Sequence, residues 1–234
     1  MITSVILQPT YLPWLGYFDM IDQANVYIIL DDVQFSKRSW QQRNRLKTDT
    51  GPVLLTCPCI TKSLRHQQIK DVHLDTDSKF YSKHLKTIEL NYRKAKFFDR
   101  YIDDVKNIFE RRQQKLIDLN FDFINFFLIE LKIDVEIIRS STIPRKVNTK
   151  KQDVLVEICQ AVGATTYLSP AGSTNYLQDA AIFEESGIKL NFHSYEHPTY
   201  EQRGKSFIPQ LSTLDLLFNH GPHSIEIIRS GRNS

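Results

Sequence analysis

Two short apolar runs, separated by an amphipathic segment, lie within the first thirty residues and restrict the chain to few fold classes. Residues 4–7 and 26–30 are rich in Val, Ile and Leu, which is typical of strands buried on both faces. Between them, residues 11–24 place apolar side chains about three positions apart, which predicts a helix with one buried face. Strand, helix and strand in this order predict a βαβ unit and therefore a parallel sheet.

The rest of the chain extends this pattern. Residues 44–47 and 53–60 flank the turn signal Asp49-Thr50-Gly51-Pro52, which predicts a β-hairpin. Further elements are expected as strands at 69–74, 135–138, 165–168 and 189–195, and as helices at 152–161, 175–185 and 211–218. We predict an α/β fold: a mainly parallel sheet flanked by helices, with a β-hairpin and a helical insertion at roughly 77–133, in a single domain spanning 1–234.

Composition indicates neither a disordered protein nor a fibre. Hydrophobic residues at 41% and charged residues at 24% are ordinary for a globular chain. A formal net charge of +3 gives no strong indication of nucleic-acid binding. The N-terminus has no basic region followed by a long apolar run, and no stretch is apolar enough to span a membrane, so we expect a cytoplasmic protein. Cys57 and Cys59 alternate within a strand pattern, which favours a structural interpretation over a zinc or redox site.

The segment after the first strand is the first candidate for ligand binding. Ligands of open α/β sheets sit beyond the carboxyl ends of the strands, where Gln8, Tyr11, Trp14 and Tyr17 follow. The following helix N-terminus favours an anion, Gly16 permits close backbone approach, and the rings offer flat faces to a base or sugar. The alternative is an aromatic loop that packs against the sheet edge.

The segment after the second strand combines acids, bases and amides. Asp31 and Asp32 can bind Mg²⁺, act as a base or hold a substrate amine. Arginine suits bidentate contacts with phosphate. The polar and aromatic candidates for substrate binding here are Gln34, Lys37, Trp40, Arg43 and Asn44, and the basic set also includes Arg38 and Arg45. The alternative is that the two acids pair with these neighbouring bases.

Two later turns complete the set of candidate residues. His197 follows the last predicted strand and is a candidate general base. No His-Glu-x-x-His spacing is present, so zinc is not indicated. Ser169 and Ser173 lie at a strand-to-helix turn that could cradle a phosphate, although Ser173 could equally be a helix cap.

Long motifs distributed along the chain resemble those of the WbqC-like protein family. They are Gln8-Pro9-x-Tyr11-Leu12-Pro13-Trp14-Leu15-Gly16-Tyr17-Phe18, Asp31-Asp32-Val33-Gln34-Phe35-x-Lys37, Trp40-x-x-Arg43-Asn44, Leu168-Ser169-Pro170-Ala171-Gly172-Ser173 and Leu211-Ser212-x-x-Asp215-Leu216-Leu217-Phe218-Asn219-x-Gly221. The resemblance implies bacterial origin and a role in surface-polysaccharide biosynthesis, such as O-antigen sugar modification. Members often have His before the Gln-Pro pair, where this chain has Leu7.

These observations lead to one principal hypothesis and two alternatives. We expect a transferase that modifies a nucleotide-linked amino sugar by moving an acyl or aminoacyl group to the sugar amine. The first alternative is nucleotidyl or adenylyl transfer, by analogy with enzymes whose first strand is followed by His-x-Gly-His; Trp14-Leu15-Gly16-Tyr17 would occupy that place and keeps only the glycine. The second is a non-catalytic scaffold for glycan-assembly enzymes.

Overall fold

The computed structural model describes residues 1–145, 151–174, 177, 181–204 and 206–233. Within them the strands are β1 (Thr3–Leu7), β2 (Val26–Ile29), β3 (Arg43–Thr48), β4 (Gly51–Thr56), β5 (Glu136–Arg139), β6 (Thr166–Ser169) and β7 (Lys189–Phe192). The α-helices are α1 (Leu15–Asp22), α2 (Phe80–Tyr92), α3 (Phe98–Glu110), α4 (Leu116–Glu130), α5 (Lys151–Ala161), α6 (Ala181–Glu185), α7 (Thr213–His220) and α8 (Ser224–Arg229).

Five strands form one parallel sheet in the order β5-β2-β1-β6-β7, and β3 and β4 form a separate antiparallel hairpin. Leu7 of β1 is level with Ile29 of β2, which is level with Arg139 of β5. The carboxyl ends of these strands therefore lie along one edge. The predicted α/β fold, with its parallel sheet, hairpin and helical insertion, is confirmed.

Side chains of the sheet alternate between two hydrophobic cores. Val5 and Leu7 of β1 belong to a core shared with α1 and the helical insertion, whereas Ile6 belongs to a second core shared with α5 and α6. This period of two is what a strand buried on both faces requires. Rings connect the insertion to α1, since Phe18 lies 5.2 Å from Phe127 between ring centroids.

The strand expected at 69–74 is wrong. Ile69–Asp71 form a 3₁₀ helix, and the following residues make only isolated bridges, such as that of Leu74 with Cys59. Ile69 and Val72 are fully buried, and this spacing of three is suited to a single helical turn packed on α4 rather than to a strand.

Element boundaries shift modestly elsewhere. The first helix begins at Leu15 rather than Tyr11, because the preceding residues form a tied loop. The closing helix begins at Thr213, where the Ser212 hydroxyl accepts a hydrogen bond from Leu214 N at 3.2 Å and so caps it. Of the helix expected at 175–185, residues 175, 176 and 178–180 lie outside the described residues, residue 177 is not helical, and α6 spans Ala181–Glu185.

The cysteines are free thiols, with Cys57 and Cys159 buried and Cys59 partly buried. Burial raises the pKa of the Cys59 thiol to about 12, so it is an un-ionised thiol at neutral pH. In the part of the chain that the structure describes, no helix combines the length and apolar character needed to cross a bilayer.

Candidate functional site

The carboxyl edge of the parallel sheet collects polar side chains from all five strand ends. Because the strands run in one direction, each connection leaves the sheet on the same side. In spatial order, the residues that follow the strands are Ser140 and Ser141 after β5, Asp31 and Asp32 after β2, Gln8 after β1, Ser169 at the end of β6, and His193 after β7.

Gln8 stands exposed at the end of the central strand. Its Oε1 accepts a hydrogen bond from Gln41 Nε2 at 2.7 Å, and Gln41 Oε1 accepts one from Ser36 N at 2.9 Å. These contacts fix the orientation of the Gln8 amide. Its Nε2 has no hydrogen-bond partner among the described residues, so it remains a donor for a ligand at this edge.

The loop between Gln8 and α1 is held rigidly by buried amides. Asn44 Nδ2 donates to the carbonyls of Tyr11 and Leu12 at 3.2 and 2.7 Å, and Asn120 Nδ2 donates to the carbonyl of Pro9 at 3.3 Å. Leu12 is fully buried with φ at +47°, a left-handed conformation unusual for a side chain other than glycine. Asn44, a predicted substrate-binding residue, is therefore committed to the loop backbone.

The two tyrosines of this loop face inward. Tyr11 is fully enclosed, with its hydroxyl 2.9 Å from His84 Nδ1, and Tyr17 is 6% exposed, with its hydroxyl bonded to that of Tyr27. Burial raises the pKa of both Tyr11 and Tyr17, which keeps the phenols neutral. Neither ring offers a face to a ligand in this arrangement.

Trp14 occupies the space that Gly16 leaves open. A Cβ atom at Gly16 would lie 2.3 Å from Cη2 of the Trp14 ring, so only glycine accommodates the indole there. The indole is parallel to the His197 imidazole, with 6.2 Å between ring centroids and 13° between planes. The close approach that Gly16 permits is thus made by the protein's own ring.

Asp31 and Asp32 pair with the segment after β5. Asp31 is fully buried and accepts hydrogen bonds from Ser140 Oγ, Ser141 N and Ser141 Oγ at 2.9–3.2 Å. Asp32 accepts one from Ser140 Oγ at 2.6 Å and forms an ion pair with Arg145. The partners are therefore not the neighbouring bases that the sequence offered as an alternative. The hydrogen bonds of Asp31 link the end of β2 to the segment after β5. Asp32, with 12% of its side chain exposed, is the more accessible carboxylate.

Arg43 and Arg45 project from one face of β3 beside Trp40, which is 50% exposed. Their guanidinium carbons lie 6.0 and 5.7 Å from the Trp40 ring centroid. Among the described residues, no carboxylate comes within 4.0 Å of either arginine, and the Nε of each is buried without a partner. We call Trp40, Arg43 and Arg45 the arginine–tryptophan patch.

Four other predicted site residues are not part of this patch. Gln34 and Lys37 are exposed on the same connection, where Gln34 Nε2 donates to the Arg65 carbonyl at 3.1 Å. Ser169 and Ser173 are buried and bonded to each other at 2.6 Å, and Ser173 Oγ also donates to the Pro170 carbonyl. The hydroxyls of this turn are thus satisfied internally.

One ring nitrogen of His197 is hydrogen-bonded, and the other has no partner among the described residues. Its Nδ1 lies 2.9 Å from the Pro198 carbonyl, an atom that only accepts, so Nδ1 holds the proton and Nε2 holds the lone pair. Burial lowers the pKa of His197, which keeps the imidazole neutral at pH 7. Nε2 is shielded from solvent, with the rings of Trp14, Tyr200 and Phe207 packed around the imidazole.

A short backbone contact links Trp14, the residue that stacks on His197, with the arginine–tryptophan patch. Trp14 forms an isolated β-bridge with Ser212, and Ser212 N donates to the Arg45 carbonyl at 3.0 Å. The Arg45 guanidinium in turn donates to the Gln210 carbonyl at 3.3 Å. Trp14, which stacks on His197, and Arg45 of the arginine–tryptophan patch therefore both contact the stretch from Gln210 to Ser212.

Several residues that shape this edge were missed by sequence reasoning. Arg145 pairs with Asp32, Gln41 orients Gln8, and Asn120 holds the loop from within α4. For Arg145 the position after a strand was an available signal, because it follows β5 as the aspartates follow β2. For Asn120 no local pattern distinguishes it from an ordinary helix residue.

The described side chains form no cluster of the kind that binds a metal ion. Over residues 1–145, 151–174, 177, 181–204 and 206–233, no group of three or more His, Cys, Asp or Glu side chains is arranged to hold an ion.

The fold and this edge define the class of the molecule: a parallel α/β protein with polar side chains at the sheet edge where such folds bind ligands. Residues 8–227 match the model of the WbqC-like protein family, and the chain belongs to that family. It is 34% identical over 227 residues to the uncharacterized protein Rv1507c of Mycobacterium tuberculosis (strain ATCC 25618 / H37Rv), with 96% of each chain covered. No solved structure matches the chain.

Proposed function

We propose that this protein modifies a nucleotide-linked amino sugar for a bacterial surface polysaccharide, by transferring an acyl or aminoacyl group to the sugar amine. The observation that supports it most directly is the arginine–tryptophan patch. Two guanidinium groups without a carboxylate partner among the described residues lie over the ring of a half-exposed indole, which is a suitable surface for a diphosphate joined to a planar base.

The patch is well placed for such a ligand. Trp40 lies in the connection from β2 to β3, and its carbonyl accepts a hydrogen bond from Tyr11 N at 3.0 Å, which ties it to the loop after β1. In the proposed complex, the base stacks on Trp40 and the diphosphate binds Arg43 and Arg45. The sugar then extends toward Gln8 and Asp32 at the sheet edge, where the amide and carboxylate bind its hydroxyl or amine groups.

The transfer step needs a proton acceptor. The amine nitrogen bonds to the carbonyl carbon of an activated acyl donor, the donor's leaving group departs, and the amine releases a proton. We assign that proton to His197 Nε2, because the imidazole is neutral and this nitrogen is without a partner. Asp32 is the weaker candidate, since Ser140 and Arg145 already occupy its oxygens. An amine reaches Nε2 only after a neighbouring side chain moves.

Adenylyl or nucleotidyl transfer at the first helix is less well supported. That chemistry would place phosphate groups beside the first turn of α1, and the Trp14 indole fills the space next to Gly16. A purely structural scaffold gives no reason for an imidazole nitrogen without a partner, or for two neighbouring arginines without a carboxylate partner among the described residues. We therefore favour the acyl-transfer proposal.

Binding is tested by thermal unfolding of the purified chain with uridine, thymidine and guanosine diphosphate sugars. We expect at least one of them to raise the midpoint, and Arg43→Gln to abolish that rise without altering the unliganded midpoint. Arg100→Gln is the matched control, because Arg100 also lies over a ring, that of Tyr101 at 5.4 Å, but on α3. If no nucleotide sugar stabilises the protein, or if R43Q responds like the wild type, the proposal fails.

The proton acceptor is tested separately, with the nucleotide sugar identified by that screen. His197→Gln keeps a hydrogen-bonding side chain but removes the basic nitrogen, so we expect unchanged binding and a loss of turnover of about 10²–10⁴-fold. Equal turnover in H197Q and wild type, at matched substrate saturation, would exclude His197 as the base.

A further inference from the structure

The solvent face of α2 is lined with cations over its whole length. They recur at steps of three and four residues, which places them on one side of a helix. The exposed residues on this side are Lys79, Lys83, Lys86, Leu90, Arg93 and Lys94. We call this set the α2 stripe; at about 1.5 Å of rise per residue it extends roughly 20 Å.

None of these cations is neutralised by a neighbour. In the described part of the chain, no carboxylate oxygen lies within 4.0 Å of any of them; the ion pairs found involve other residues. Lys79 and Lys83 are four positions apart and Lys83 and Lys86 are three apart, so they repel one another across the helix surface. Glu89, three residues after Lys86 and four before Arg93, is the one acid within α2 and forms no ion pair within 4.0 Å with either in the described part of the chain, so the stripe keeps a net positive charge for a partner to compensate.

Helix electrostatics do not explain the stripe. Arg93 and Lys94 follow the carboxyl end of α2, where the helix dipole favours positive charge. Lys79 is the N-cap and Lys83 follows within the first turns, where the same dipole disfavours it, and no acidic residue is present in the first turn. Cations at the end of a helix where the dipole disfavours them indicate that they bind a partner rather than stabilise the fold.

Leu90 distinguishes between anionic partners. It is 58% exposed at the middle of the α2 stripe, between Lys86 and Arg93. An apolar side chain within a row of cations suits the boundary between lipid headgroups and acyl chains, where lysine stems also bury their methylenes. A nucleic-acid surface would be served better by an exposed ring for base stacking, and the stripe has none.

We propose that the α2 stripe docks this protein on an anionic lipid surface, with the cations bound to headgroups and Leu90 inserted between them. This inference does not depend on the proposed transferase activity. Each basic residue near such a surface adds to the attraction, and the attraction weakens as salt screens it.

The test is co-sedimentation of the full chain with phosphatidylcholine vesicles, with and without phosphatidylglycerol. We expect binding only to the anionic vesicles, and release as ionic strength rises. The quadruple variant Lys83→Gln, Lys86→Gln, Arg93→Gln, Lys94→Gln should bind at least about tenfold more weakly. Leu90→Gln should retain binding at low salt but dissociate at a lower salt concentration than the wild type.

A control variant removes the same charges elsewhere: Lys62→Gln, Arg65→Gln, Lys132→Gln and Lys189→Gln, all at exposed positions. It should bind anionic vesicles like the wild type. Equal losses in the two quadruple variants would show that only net charge matters and would overturn the proposal. Failure of the wild type to bind anionic vesicles would also overturn it. So would a preference of the wild type for duplex nucleic acid over vesicles, if the stripe variant loses the nucleic-acid binding.

Discussion

Asn44 on β3 donates a hydrogen bond of 2.7 Å to the carbonyl of Leu12, a fully buried residue in a left-handed conformation. The same amide nitrogen also bonds the Tyr11 carbonyl, and Asn44 Oδ1 accepts from Arg45 N at 2.7 Å. One side chain of the hairpin thus fixes the shape of the loop that follows the central strand. Its effect on a ligand at the sheet edge is indirect, through the loop that it holds.

Asn44→Ala should therefore act mainly on stability. The substitution leaves two buried carbonyls without a donor, and we expect it to lower the free energy of unfolding by about 2–4 kcal/mol. Denaturant unfolding followed by circular dichroism measures the change. Asn107→Ala, at an exposed position of α3, should differ from wild type by less than about 0.5 kcal/mol. An unchanged midpoint for N44A would contradict the proposed anchoring.

Gly16→Ala should displace the Trp14 ring. The added methyl would lie 2.3 Å from Cη2, so the indole must leave its position beside His197. In a Trp40→Phe background, which leaves Trp14 as the sole tryptophan, we expect a red-shifted emission spectrum. Gly172→Ala is the control, because no atom lies within 4 Å of a Cβ there. Identical emission from G16A and its parent would show that the ring tolerates the methyl.

Acid should destabilise the protein through His84. Burial lowers the pKa of this imidazole from its ordinary 6.5 to about 4. Between these values the unfolded chain binds a proton that the folded protein excludes, so stability is complete above pH 6.5 and falls as pH decreases toward 4. The expected loss is about 3 kcal/mol. His84→Gln should flatten this acid dependence, whereas His66→Gln, at an exposed position, should preserve it.

The contacts of Asp31 predict a structural effect of its substitution. Asp31→Asn replaces one acceptor oxygen by an amide that faces the donors of Ser140 and Ser141, and we expect a loss of about 2–4 kcal/mol. Ser141→Ala removes one of these donors and should cost about 1 kcal/mol. Asp71→Asn, at an exposed position, serves as the control. If D31N is as stable as wild type but fails to turn over substrate, Asp31 would instead have to be assigned to catalysis.

The sequence was sufficient to predict the first two strands of the sheet because they are short, mostly apolar and buried. Residues 4–7 and 26–30 gave β1 and β2, and this pattern is produced by burial on both faces. The expected strand at 69–74 failed because Ile69 and Val72 are buried for another reason, their packing on α4. Short apolar runs do not distinguish these two environments.

The candidate site was less predictable, because its contacts join distant parts of the chain. The position of Asp31 and Asp32 after a strand correctly indicated the sheet edge, but their partners Ser140 and Arg145 lie more than a hundred residues later. Tyr11 and Trp14 were attractive as ligand-binding rings, yet Tyr11 is enclosed and Trp14 packs on Gly16. Ring content in a loop does not reveal whether the rings face inward or outward.

The central position of β1 has a consequence for how this protein is made. One of its two neighbours is β6, and the hydrogen bond from Ile2 N to Thr165 Oγ1 joins residues 163 positions apart. A ribosome adds about 5–20 residues per second, so the first strand waits on the order of ten to thirty seconds for that neighbour to be synthesised. During this interval the apolar edge of β1 is open to chaperones and to other nascent chains. Synthesis rate and chaperone supply should therefore govern the yield of native protein more strongly than for a fold with local strand pairing.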